Sequence, residues 1–374
     1  MSRPPALSRE EIRLEGSEHL PVTAKEKYRE LCSLDGSIPL FSQAWWLDAV
    51  CREDNWEVEL AEKGGQIFGA LPYMIQPGRS GAGVTQPPLT QHLGVWMRYP
   101  ESQKYATRLS FEKEIMNELI DRIEARHPVS FSQRFSPTIT NWLPFYWRGF
   151  QQTTRYTYVI NDLTQLDKVR AELDPEVRGR IKKGLKSLAV RSDLDVEGFY
   201  AINTKTFARQ SLTPPYSLPL VKRIHAACAQ RGCSRILSAV DPEERLHAAA
   251  FLVWDRHRTY YLMGGIDPAL RSTEAKPLLL WNAIEHAATV SQGFDFEGSM
   301  IENIERFFRS FGAVQTPYFA ITKRYQAPGL IRAVARAILD NTPRLRSAWR
   351  RLGVRSRIQP SPDAESSPSA AAGR

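Results

Sequence analysis

One order of elements occurs twice along the chain, and that repetition limits the fold more than any single motif does. In the first half, FSQAWWLDAV (41–50) has helical spacing, and WEVELAEKGGQIFGALPYMI (56–75) reads as strand, Gly-Gly turn, strand. A loop rich in Gly and Pro follows (77–94), and then FEKEIMNELIDRIEARH (111–127). Ile115, Leu119, Ile120 and Ile123 form the apolar stripe of that helix, and Pro128 stops it. In the second half, DVEGFYAINTKTFARQS (195–211) is helical and RILSAVDPEERLHAAAFLVW (235–254) is strand, turn, strand. TYYLMGGID (259–267) adds a strand, and KPLLLWNAIEHAATV (276–290) is a helix. The halves also end alike, FYWRGFQQTTRYTYVI (145–160) against RFFRSFGAVQTPYFAIT (306–322), with Trp147-Arg148-Gly149-Phe150 laid on Phe308-Arg309-Ser310-Phe311. An internal duplication joined near Asp162-Leu163 accounts for the pattern, and 374 residues suit two units better than one core.

Charge narrows the partners. The formal net charge is +9, and the stretch from Pro328 to Arg374 holds nine arginines against Asp340, Asp363 and Glu365. Six of the nine charges therefore lie in the tail, and the body near +3 lacks the basic face of a duplex-DNA reader. PGLIRAVARAILD (328–340) and PRLRSAWRRLGV (343–354) place apolar residues at helical spacing with Arg between them. Such helices suit either an anionic membrane surface or docking on the protein's own body. QPSPDAESSPSAAAGR (359–374) is low in complexity. Cys32, Cys51, Cys228 and Cys233 form no CxxC pair and fit reduced thiols of a cytoplasmic protein. The amino-terminal stretch has no apolar core of a secretory signal, and no run of about 18 apolar residues is present.

Several chemistries lose their motifs. No GxGxxG, HExxH or GxSxG occurs, and GRSGAGV (78–84) lacks the Lys-Ser/Thr of a phosphate loop. Seven scattered histidines do not argue for a metal site, and His247, inside a strand pattern, reads as a satisfied or surface histidine.

FDFEGSMIENIERFFRSFGA (294–313) is the most informative block. Phe294 and Phe296 alternate with Asp295 and Glu297, which on a strand puts aromatics on one face and carboxylates on the other. Gly298 ends the strand, Ser299 and Glu302 have capping-box spacing, and Gly312 stands where a helix-ending glycine belongs. The aromatics read as core. The two acids are not needed for packing and stand at a strand end, where open α/β sheets bind ligands and where a carboxylate can take a proton from an attacking amine.

These residues resemble the C-terminal signature of the FemAB-like acyltransferases, within the GNAT superfamily. LHAAAFLVWDRHRTYYLMGGIDPALRSTEAKPLLLWNAIEHA and VRGRIKKGLKSLAV (177–190) carry the same resemblance, which spans roughly 35–325. It implies an α/β (α+β) fold of two tandem GNAT-like units, 35–161 and 162–326, each a mixed sheet flanked by helices, between an N-terminal extension (1–34) and a basic tail (327–374). It also implies an acyltransferase with no tightly bound cofactor, using acyl-CoA such as acetyl-CoA as co-substrate, its pyrophosphate at the N-terminus of helix 276–288. The donor loop of the superfamily, Arg/Gln-x-x-Gly-x-Gly/Ala, reads Arg271-Ser-Thr-Glu274-Ala275-Lys276 here, so only the Arg is kept, and Arg271, Ala275 and Lys276 are the donor-site candidates. Aminoacyl-tRNA-using members carry Phe-Lys before the final Phe-Gly, and Phe308-Arg309 stands in its place. Arg309 thus joins Asp295 and Glu297 as a catalytic candidate, beside the simpler reading of a cation at a helix end. Arg178, Arg180 and Lys183 form either a solvated helix face or a clamp on an anionic acceptor. The acceptor implied is a sugar or peptide precursor of the envelope or of a polysaccharide. Transfer from aminoacyl-tRNA and an inactive scaffold are the alternatives.

Overall fold

Gly64 and Gly65, at φ +56° and +79°, turn the chain between β1 (Trp56–Lys63) and β2 (Gln66–Gln76), the backbone that a tight two-residue hairpin requires. This is the computed structural model of the chain, and it describes residues 22–325 except Glu53, Asp54, Gln210, Arg271 and Ser299. The remaining strands of the first half are β3 (Gly83–Thr85), β4 (Trp96–Met97), β5 (Ser130–Arg134) and β6 (Gln151–Ile160). Those of the second are β7 (Ala189–Arg191), β8 (Ser234–Val240), β9 (Leu246–Trp254), β10 (Arg258–Ile266), β11 (Gly293–Asp295) and β12 (Val314–Arg324).

All join one sheet in the order β1-β2-β3-β5-β12-β6-β11-β10-β9-β8-β7, with β4 on β2. Entered from β1 or from β8, the sheet presents the same succession. Two antiparallel neighbours come first, then a parallel pair (β3 with β5, β10 with β11), then an antiparallel partner. That last partner belongs to the other half. β12 closes on β5, β6 closes on β11, and β6 and β12 pair with each other at the centre over Val314↔Val159 to Thr322↔Gln151. The duplication is therefore built with its final strands exchanged, whereas the sequence suggests that each half ends on its own strand.

Helices cover both faces. Ala248, Ala250 and Leu252 of β9 pack toward the helix Ala275–Val290, while Ala249, Phe251 and Val253 turn to the other face, as strand alternation dictates. That opposite core mixes both halves, joining Tyr28, Trp46 and Trp56 to Phe199, Val221 and Ile224. Helices Ala24–Leu34 and Leu218–Ala229 have no counterpart among the elements anticipated from the sequence, and Pro175–Gly184 is the helix that carries Arg178, Arg180 and Lys183. The helical segments anticipated within 328–354, with their membrane-surface reading, lie outside the described residues. Among the described residues no helix is long and apolar enough to cross a membrane.

Candidate active site

Where β11 ends, the FDFEG block departs from a plain strand. Phe294 and Phe296 are fully buried among Phe308, Phe311 and the helix Ala275–Val290. Asp295 faces the opposite way and is 1% exposed. Its Oδ1 accepts the Thr157 hydroxyl at 2.5 Å and the Glu297 N–H at 2.8 Å. Its Oδ2 lies 4.0 Å from His92 Nε2. Thr157 sits on β6, so the exchanged strand of the first half orients the carboxylate of the second. Burial pushes the Asp295 carboxyl up, and the Thr157 and Glu297 donors and the Arg258 charge oppose that rise.

Glu297 does not continue the strand. Its φ is +53°, a costly conformation for a non-glycine residue, held by the surrounding contacts. The two acids therefore do not share one strand face. The Glu297 Oε1 is buried without a partner, and its carboxyl is pushed far up by burial and then by the neighbouring Asp295 charge, with Arg134 of β5 opposing. Gly298 follows because the chain crosses β6 at contact distance: a β-carbon there would stand 2.3 Å from both Thr157 Cα and the Tyr156 carbonyl oxygen. Its N–H donates to Thr157 Oγ1 at 2.9 Å. The next helix runs Glu302–Arg309, with Ile301 at its N-cap and no side-chain cap. This corrects the capping box read from Ser299 and Glu302, and Ser299 is outside the described residues.

Asp295 opens into a cleft of about 630 Å³. The first half lines it with His92, Trp96, Tyr99 and Arg108, and the second with Arg258, Tyr260 and Asp295. His92 comes from the Gly- and Pro-rich loop, where the sequence offered no signal for it. The Gln86 amide holds that loop through the Thr90 carbonyl and, at 3.1 Å, the Gln91 carbonyl. Trp46 Nε1 donates to Thr90 Oγ1 at 3.0 Å. His92 is 6% exposed, stacks edge-on against Tyr318, and has its pKa lowered to about 3 by burial and then by Arg134 and Arg258.

The donor-side candidates lie elsewhere on the sheet. Ala275 and Lys276 begin the helix Ala275–Val290, and the Ala275 N–H is taken by Ser272 Oγ at 3.1 Å. Lys276 is half-buried with its ammonium 4.4 Å from the Phe307 ring centre, and burial followed by the Arg209 charge lowers its pKa to about 8. Arg271 is outside the described residues. β10 carries a bulge between Tyr261 and Met263, so Leu262 steps out of the regular ladder with β9.

The basic candidates disperse. Arg309 is exposed, pairs with Glu305 at 2.9 Å and lines a second surface cavity with Arg180, Arg306, Glu172, Asp174 and Glu176. That cavity does not include Asp295 or Glu297. Arg180 pairs with Glu176, Arg178 Nη2 donates to the Leu173 carbonyl at 2.9 Å, and Lys183 is exposed. His247 Nε2 meets Asp241 Oδ2 at 2.8 Å, while its buried Nδ1 has no partner, so the ring is satisfied on one side only.

Residues 172–300 match the model of the acetyltransferase (GNAT) domain. The fold resembles the crystal structure of FemX, with a TM-score of 0.58 at 12% identity over 79% of this chain and 96% of that one. It also resembles L-PGS from Bacillus licheniformis, with a TM-score of 0.50 at 9% identity over 83% of this chain and 95% of that one. No curated protein matches the sequence. At these identities the two structures speak for the fold, and the domain match speaks for the second half, where the carboxylates stand. Residues 172–300 thus carry a GNAT acetyltransferase domain, and the chain as a whole has a fold similar to that of FemX.

Proposed function

We propose that the protein transfers an acyl group, acetyl or longer, from a coenzyme A thioester to an amine or hydroxyl of an acceptor held in the cleft between the halves. The observation that carries this reading is Asp295. It is buried, fixed through Oδ1, and among the residues that line the cleft. A carboxyl whose pKa is raised is a stronger base once ionised, which is what removal of a proton from an attacking nucleophile asks for. Thr157 and the Glu297 N–H keep Oδ1 occupied, so the proton goes to Oδ2. Glu297, buried nearby with an unpartnered oxygen, is the second candidate for proton transfer.

Lys276 and the N-terminus of the helix Ala275–Val290 suit the anionic part of the donor. β5 reads Ser130-Phe-Ser-Gln-Arg134 and has no carboxylate, so the chemistry belongs to the second half, and the first half serves as its wall. The acceptor class, a sugar or peptide precursor of the envelope or of a polysaccharide, is carried by the family resemblance. Calorimetric melts with acetyl-CoA, longer acyl-CoAs and sugar nucleotides test the assignment, since a ligand of the folded state raises the melting temperature. A shift with an acyl-CoA supports it. A shift with aminoacyl-tRNA and none with any thioester replaces it by aminoacyl transfer.

A further inference from the structure

Two of the four cysteines stand side by side where a helix gives way to a strand. Cys228 lies in the last turn of the helix Leu218–Ala229, and Cys233 lies one residue before β8. Gly232 turns the chain at φ +60° and donates its N–H to the Ala229 carbonyl at 3.1 Å. The Cys233 N–H then closes back on the Cys228 carbonyl, also at 3.1 Å. This is a Schellman ending, which lays the side chain after the glycine against the one that opens the last turn. Such contacts are usually between apolar side chains, and here both are thiols. Cys233 Sγ stands 3.6 Å from the Cys228 carbonyl oxygen, and the Cys228 thiol donates to the Cys233 sulfur. Cys32 and Cys51 lie on two other helices, Ala24–Leu34 and Ala44–Cys51.

The two thiols are chemically unequal. Cys228 is fully buried in the core that holds Trp46 and Val221, and Cys233 is half-buried. The hydrogen bond from Cys228 lowers the pKa of Cys233 against the effect of burial, with the Arg231 charge assisting. The same bond and then burial push the Cys228 thiol up. The thiolate is the reactive form, so Cys233 is the attacking sulfur and Cys228 the one that waits beside it. We propose that Cys233 and Cys228 are a peroxide-responsive pair that closes to an intramolecular disulfide. The Cys233 thiolate attacks one oxygen of hydrogen peroxide, the O–O bond breaks, and hydroxide leaves, so that Cys233 becomes a sulfenic acid. The Cys228 sulfur then bonds to the Cys233 sulfur, and the hydroxyl departs as water with the Cys228 proton. Across both steps two thiols give up two electrons and two protons, and the peroxide becomes two waters. The bond ties down the end of a helix by which the second half grips the first: Arg223 Nε donates to the Ala49 carbonyl at 3.0 Å, and the Arg231 guanidinium lies 4.5 Å from the Trp45 ring centre.

The full wild-type chain tests this without any variant, because tryptic cleavage after Arg223, Arg231 and Arg235 separates residues 224–231 from 232–235. After one equivalent of hydrogen peroxide, mass spectrometry of a non-reduced digest is expected to find the two peptides joined, lighter by two hydrogens than their sum. A maleimide count should fall from four free thiols to two and return to four in dithiothreitol. Peptides that stay separate while Cys32 and Cys51 are consumed as fast as Cys233 overturn the proposal. The order of events is read from two variants. In Cys228→Ser the reaction should stop at the sulfenic acid of Cys233, captured there by dimedone. In Cys233→Ser the remaining Cys228 should react at least about tenfold more slowly than Cys233 does in the wild type. Dimedone captured on Cys228 rather than Cys233 overturns the roles assigned to the two sulfurs.

Discussion

Thr157 donates its hydroxyl to Asp295 across the boundary between the two halves, at 2.5 Å, while the same oxygen accepts the N–H of Gly298. One side chain of β6 thus fixes both the carboxylate and the turn that follows it. Thr157→Val keeps the shape, removes one donor from Oδ1 and leaves the Gly298 N–H without its acceptor. We expect acyl transfer to fall about tenfold or more and the melting temperature to drop, with Thr157→Ser close to wild type. Steady-state rates and calorimetric melts of both variants check this, and a Val variant as active as the Ser variant contradicts it.

Asp295 and Glu297 should trade stability for activity. Burial raises both carboxyls above their unfolded values, so the folded state prefers them protonated. Their contribution to stability is full below the unfolded values near pH 4 and is lost as pH rises through the raised folded values. Glu297→Gln, which cannot ionise, is expected to melt higher than wild type, by a margin that widens from pH 4 to pH 8. Asp295→Asn should behave alike while abolishing transfer. A margin that narrows with rising pH has the wrong sign for buried acids.

His92 titrates in the opposite sense. Its pKa falls from 6.5 to about 3 on folding, so the unfolded chain binds its proton first as pH drops. Stability from this group is present above pH 6.5 and is lost as pH falls toward about 3. Melts of wild type and His92→Phe between pH 7 and pH 4 should show the wild type losing more over that interval. Parallel curves would mean that the ring is hydrated and charged.

Lys276 offers a test of the donor side. Lys276→Met retains the stem over Phe307 and removes the charge. The KM for acetyl-CoA is expected to rise about tenfold with kcat little changed, and wild-type binding should weaken as pH passes about 8, where the ammonium discharges. An unchanged KM, measured by initial rates, removes Lys276 from the donor site.

Gly298→Ala tests whether the site depends on a close crossing of strands. The new β-carbon would meet the backbone of Tyr156 and Thr157 at 2.3 Å, where neither atom is the end of a flexible side chain. A loss of about 1–3 kcal/mol in denaturant melts is expected, together with lower activity. Wild-type stability in this variant would place the chain further from β6 than described.

Local pattern made much of this legible. Gly64-Gly65 announced the first hairpin, the Ile115-to-Ile123 stripe its helix, and the alternation in FDFEG the division between buried rings and acids. Periodicity reports which face of an element is buried and not which element lies beyond it, so the exchange of β6 and β12 left no trace in the sequence. His92 escaped for the same reason: its role comes from a loop packing against Tyr318 of a distant strand. Phe308-Arg309 drew attention by standing where family members carry a Phe-Lys pair, yet Arg309 pairs with Glu305, and Arg148, its counterpart in the first half, is itself spent on Asp121 and Glu124. The short strand Gly293–Asp295 with Glu297 at φ +53° could not be read either, since nothing in the residue types demands it.

The exchange of final strands also sets a timetable for synthesis. β5 is translated long before β12, so as the chain leaves the ribosome the inner edge of the first half stays open to other strands until the last of the sheet emerges. A nascent chain stalled before Val314 has β6 but lacks the strand that seals β5, and a fragment ending at Ile160 has no acceptor for β6 on β11. Each half thus carries the other's closing strand, and neither completes its part of the sheet alone.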